Sequence, residues 1–218
     1  MIMSSLRFTR NLFFSVLAAG LLWGAVAAAQ TVERVALPAE GLSEPMRHAV
    51  AEKGYRIKLE NGWTADFWAA GQLIAGDKEV PGALYPDLEP GSFIALIKLR
   101  QDTPDYRGQT IRAGVYTLRY ELLPQDGNHL GVSPNPDFLL AIPVAEEENP
   151  VQPLVLKKVI AMSSKGTGGA HPAVFALESA AEPGTVSKTD NGAVFSVAIP
   201  AGAKTEKIGI CLNCAASQ

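Results

Sequence analysis

The chain has 218 residues, a formal net charge of −3 and a hydrophobic fraction of 47%. Acidic residues outnumber basic ones and no dense Lys/Arg run occurs, so nucleic acid and anionic membrane surfaces are poor partners. Two cysteines in a chain of this length exclude a disulfide scaffold, and one domain can bury a core without such staples.

The first segment reads as a secretory signal peptide over residues 1–29. Arg7 and Arg10 give a positive start, Leu12 to Val26 is almost wholly apolar, and Ala27-Ala28-Ala29 supplies small residues for cleavage before Gln30. The alternative is an uncleaved anchor, but the apolar run is shorter than the roughly 20 residues of a span. No Cys stands at the cleavage site, which argues against a lipoprotein anchor. The expected product, 30–218, is a single exported domain, periplasmic or extracellular, with no later run of spanning length.

In chain order, Val32–Leu37 alternates like a half-buried strand. Leu42–Lys53 reads as a short helix: Ser43 caps it, Pro45 sits in its first turn and Gly54 ends it. Tyr55–Glu60 and Trp63–Ala69 form a hairpin around Asn61-Gly62, a pair that suits a type I′ turn. Ala70–Gly91 is rich in Gly and Pro and predicts irregular structure. Ser92–Leu99 has the nearly continuous apolar start of a central strand.

Gln101–Gln109 is a polar connection. In Val115–Leu123, Val115, Thr117, Arg119 and Glu121 oppose Tyr116, Leu118, Tyr120 and Leu122. A polar loop leads to the strand Phe138–Val144. Glu146–Pro150 then reads as an exposed charged linker and a possible sub-boundary. Pro153–Ser164 favours a helix, although its β-branched residues also suit a strand. Beyond the Gly-rich break at 165–169 come strands at Ala173–Glu178, Ala193–Ile199 and Lys207–Leu212, with a turn at Asp190-Asn191-Gly192. About nine short strands, frequent turns and one or two short helices predict a mainly antiparallel β-sandwich.

The polar loop is where reactive side chains crowd. Asp126, His129 and Asp137 are candidate oxygen and nitrogen ligands for a divalent metal, and His171 joins them if the fold brings it near. Turn chemistry is the favoured reading of the same residues, since Asp and Asn bond their own backbone and Gly127 accepts positive φ. His48 is expected to face solvent. Neither G-x-S-x-G nor H-E-x-x-H occurs, and no Walker Lys-Ser/Thr follows the Gly run.

Cys211-Leu212-Asn213-Cys214 is a C-x-x-C, but too few residues follow for the helix that activates a redox thiol. No His follows the second Cys, as c-type haem attachment requires. A small structural disulfide is the expectation. Trp63, Phe67 and Trp68 would suggest carbohydrate binding if exposed, and core packing if not.

The string Arg112–Leu118, with QDGNHLGVSPNPDFLL after it, resembles exported, β-rich bacterial proteins of unknown function. Its A-G-x-Y-T-L piece is similar to a short motif of another uncharacterised secreted domain family. Neither resemblance implies an activity. The leading expectation is therefore a non-enzymatic envelope module that binds a small ligand or partner, without a catalytic residue or a required cofactor. The alternatives are a metal-assisted hydrolase using the 126–137 loop and a carbohydrate-binding module.

Overall fold

The computed structural model describes residues 30–78, 80–124, 131–169 and 171–216. Its elements in chain order are β1 (Thr31–Ala36), α1 (Glu44–Ala49), β2 (Lys53–Lys58), β3 (Thr64–Ala69) and β4 (Phe93–Leu99). Next come β5 (Thr103–Pro104), β6 (Thr110–Ile111), β7 (Gly114–Leu122), β8 (Asp137–Pro143), a 3-10 turn (Val144–Glu146) and α2 (Leu156–Thr167). The chain closes with β9 (Ala173–Glu178), β10 (Val186–Thr189), β11 (Gly192–Ala201) and β12 (Lys204–Leu212). Strands hold 44% of the described residues and helices 12%, so the fold is mainly β.

Every strand pairing is antiparallel. Ten strands make one sheet in the order β1-β2-β3-β4-β7-β8-β9-β12-β11-β10, and β5 pairs with β6 apart from it. The join between β9 and β12 is narrow: only Gly209↔Glu178 and Ile210↔Leu177 are in register. The sheet curls there until its ends approach. Phe195 of β11 meets Tyr55 of β2 and Phe67 of β3 edge-on, each with ring centroids 5.2 Å apart. Across the seam Gln30 Nε2 donates to the Val186 carbonyl at 2.9 Å. The expected two stacked sheets are thus one nearly closed sheet with a tight waist.

Strand alternation builds the core. Phe67, Ile97, Leu118, Leu139, Phe175, Ile210 and Phe195 are all buried in one cluster, as period-two side chains on the concave face should be. The partner positions Phe138, Leu140 and Ile142 point to the other face, where Val159 of α2 covers them. Ser163 fastens this helix. Its hydroxyl donates to the Ala141 carbonyl at 2.7 Å and accepts from the Ala173 amide at 2.9 Å. Helix thus wins over strand in 153–164, and Gly168 ends it at φ +65°.

Three local expectations need correction. The first helix is only Glu44–Ala49, because β2 claims Lys53 and Gly54 to pair with β1. The Asn61-Gly62 turn is not type I′: only Gly62 has positive φ, and its amide bonds the Leu59 carbonyl at 2.9 Å. That is a type I turn closed by a left-handed Gly. Third, Glu147 and Pro150 are buried, so 146–150 is not an exposed linker throughout. Because β8 pairs with β9, the strands on either side belong to one sheet.

The long β3–β4 connection is held by anchors rather than by regular structure. Leu73, Tyr85 and Leu88 enter the main core. Tyr85 reaches the waist, where its hydroxyl donates to the Glu178 carbonyl at 2.6 Å and accepts from the Gly209 amide at 2.8 Å. Those are the two strands at which the β9–β12 ladder stops. Among the described residues no helix is long and apolar enough to cross a membrane.

Candidate functional site

The residues expected to form a ligand site do not gather. Asp126 and His129 lie outside the described residues. Asp137 is fully buried at the start of β8 and shares the concave face with Leu139 and Ala141. Its Oδ2 accepts from the Tyr85 amide at 2.8 Å, while Oδ1 has no partner among the described residues. His171 is exposed on the opposite side, where it borders a hollow of about 180 Å³ with Phe138 and Leu140. Phe138 alternates with Asp137 along β8, so the sheet separates Asp137 from His171. Among the described residues no group of three His, Cys, Asp or Glu side chains forms a metal cluster.

Other sequence features resolve more simply. His48 is exposed and faces Glu44 one helical turn away at 3.7 Å. Trp63, Phe67 and Trp68 are all buried, and Trp63 Nε1 donates to Thr103 Oγ1 at 2.7 Å. They build core, not an aromatic platform. Cys211 and Cys214 form a disulfide with Cα atoms 5.7 Å apart. β12 ends at Leu212, and Asn213 takes φ +52° to bring the second Cys back. Both sulfur-bearing residues are buried.

The polar face of β7 holds what the sequence did not single out. Thr117, Arg119 and Glu121 alternate with Tyr116, Leu118, Tyr120 and Leu122, yet all three are buried. The cover is the segment from Glu147 to Leu156. Arg119 uses all five of its N–H donors, four of them on this segment and one on Gly91. Nε and Nη2 grip the Glu147 carboxylate at 3.2 and 2.9 Å. Nη1 donates to the Gly91 and Gln152 carbonyls at 2.6 and 2.8 Å, and Nη2 to that of Asn149 at 3.3 Å. Thr117 Oγ1 adds a bond to Glu147 at 3.1 Å. Gly91 is required where the two segments cross: its φ is +78°, and any Cβ would run into the Leu154 backbone.

Two residues further along β7, Glu121 has no such partner. The residue is 1% exposed, and its Oε1 is buried without a hydrogen bond among the described residues. Burial pushes its carboxyl up to about 8, even though Arg119 and Lys78 pull the other way. At neutral pH the group is therefore largely protonated. It lines a cavity of about 560 Å³ between the β3–β4 connection and the start of α2. Lys78 and Glu89 supply further charged groups, and Val80, Leu122 and Leu154 supply apolar wall.

A second cavity of about 620 Å³ is lined by His48, Leu73, Phe93 and Val151 among others. It contains no comparable buried, unpaired group. Apart from Asp137, whose Oδ1 also lacks a partner among the described residues, Asp66 and Asp105 are well satisfied. Asp66 sits between Arg56 at 2.7 Å and Arg100 at 2.6 Å. Its burial raises the carboxyl, but those hydrogen bonds outweigh it and hold the group below its ordinary value. Asp105 accepts four N–H bonds, from the Arg107, Gln109 and Val174 amides and from the Gln109 side chain.

Sequence alternation had already put Glu121 beside Arg119 on the polar face of β7. The missing signal was the cover. Nothing in the composition of 147–156 says that it folds back over that face.

The fold and site together define a mainly β, antiparallel protein with a buried acid at a surface cavity. No protein-family model matches the chain, and comparison with curated proteins and with solved structures returned no match.

Proposed function

We propose that the chain is a non-enzymatic, exported binding module and that its small-ligand site is the cavity lined by Glu121. The reading rests on one observation: Glu121, a residue 1% exposed whose Oε1 lacks a partner among the described residues, lines an open cavity of about 560 Å³. A buried polar group without a hydrogen bond costs about 1–3 kcal/mol. A ligand that supplies the missing partner recovers that cost. Apolar walls with a few convergent polar groups suit small-molecule binding.

The curled sheet serves such a module as a rigid frame. Its two halves share the β9–β12 waist and meet again where Phe195 packs on Tyr55 and Phe67. Export is supported by the buried Cys211–Cys214 disulfide, since such bonds persist in oxidising compartments. It is also supported by the signal-like residues 1–29.

The test is nuclear magnetic resonance of isotope-labelled protein against a fragment set that includes amines, carboxylates, amides and monosaccharides. Binding should shift the amides of Leu122, Leu154 and Leu156. Ligands that move only residues at the other cavities, or none at all, would remove this assignment.

A further inference from the structure

We infer that the Glu121 cavity takes the cationic head of a small alkylammonium ligand, held between the carboxylates of Glu121 and Glu89 with its apolar tail against Val80 and Leu154. This deepens the cavity reading and rests on it.

The charges decide the class. The β3–β4 connection contributes Lys78 and Glu89 to the cavity. On β7 the nearest cation is Arg119, but all five of its donors are engaged, two of them by Glu147. The Pro153–Leu156 wall carries no charged side chain. Among the described lining residues, once Glu121 ionises, two acids stand against one cation, Lys78, whose side chain is exposed. Lys78 can swing into solvent, whereas Glu121 cannot leave.

In the empty site a proton occupies Glu121, because burial disfavours the bare carboxylate. A bound ammonium takes over the role of that proton. It donates hydrogen bonds to the unpaired Oε1 and to Glu89, and the displaced proton leaves to solvent. The charge balance of the buried group is kept.

Proton exchange gives the inference a sign. Below the Glu121 value each bound ammonium must expel one proton, so affinity rises about tenfold per pH unit and then levels off near pH 8. Alkylammonium groups stay charged through that range.

The experiment titrates labelled protein with n-butylammonium, butyrate and butyramide at pH 6, 7 and 8. We expect butylammonium to move the Leu122 and Leu154–Leu156 amides, with affinity rising about tenfold from pH 6 to 7. Glu121→Gln should flatten that rise. Lys78→Met, which touches only an exposed side chain, should strengthen binding. Butyrate or butyramide moving the same amides while butylammonium does not would overturn the cationic class and leave the cavity reading standing. Butylammonium binding that ignores both pH and Glu121→Gln would also overturn it. If no probe moves those amides, both readings fall.

Discussion

Arg119 and Glu147 form an ion pair at 2.9 Å with side chains 0% and 2% exposed, and it ties a segment that looks like a linker onto the middle of the sheet. Breaking one half of a buried pair leaves an uncompensated charge and costs about 3–5 kcal/mol. Glu147→Ala should therefore lower unfolding free energy by that order in denaturant titrations. Arg119→Lys should rescue little, since an ammonium offers three donors where the site uses five. Wild-type stability in Glu147→Ala would show that the segment is not held as described.

Tyr85 closes the waist, and its hydroxyl is the part that matters there. Tyr85→Phe removes the bonds to the Glu178 carbonyl and the Gly209 amide while keeping the ring in the core. Burial, helped by the charges of Asp137 and Glu206 and opposed by the Gly209 bond, pushes its own hydroxyl up to about 12, so it remains a donor over the working range. The expected cost is about 1–3 kcal/mol, for leaving backbone groups unsatisfied. Hydrogen exchange should speed up at Gly209 and neighbouring β12 amides before it does in β2 or β3. Equal protection in both places would refute the role given to the waist.

The cysteine pair is expected to be structural. Cys211 and Cys214 are 5% and 3% exposed and close a loop of only two intervening residues. Unfolded, unreduced protein should show no free thiol. Replacing both by Ser should cost about 1–2 kcal/mol, below the usual range because the closed loop is short. Turnover in an insulin-reduction assay would contradict it.

Much of the framework was legible from pattern alone. Alternation located β7, and nearly continuous apolar runs located β4, β8 and β9, which are buried along almost their whole length. Ser43 and Pro45 marked the start of α1. What the pattern missed depends on distant partners. β10 is short and polar, and only its pairing with β11 makes it a strand. β2 takes Lys53 and Gly54 through the register with β1, which local helix signals do not contain. The waist at Gly209↔Glu178 decides between two stacked sheets and one curled sheet, yet two residue pairs leave no compositional trace. Glu121 illustrates the same limit. An acid opposite a core strand face reads as solvated until something covers it, and its cover, Pro153–Leu156, comes from thirty-odd residues away.

Glu121 and Asp66 predict opposite responses to pH in separate windows. The folded carboxyl of Asp66 lies below its ordinary 3.8, so its contribution to stability is full above that value and is lost as pH falls through the lowered one. Glu121 has the reverse sign. Its folded value of about 8 lies above the ordinary 4.5, so the native state binds the extra proton between the two. Stability from this group must then fall as pH rises from about 4.5 to about 8, at up to about 1.4 kcal/mol per unit. Below that window both states are protonated, and above it both are ionised, so the slope vanishes at each end. Glu121→Gln keeps the shape and cannot ionise. Denaturant titrations of wild type and variant at pH 5, 6, 7 and 8 should diverge steadily, the variant gaining relative stability toward pH 8. Adding n-butylammonium should shrink that divergence at the alkaline end, because it binds the ionised native state. Parallel curves across the window would mean that Glu121 reaches solvent and titrates as an ordinary surface acid.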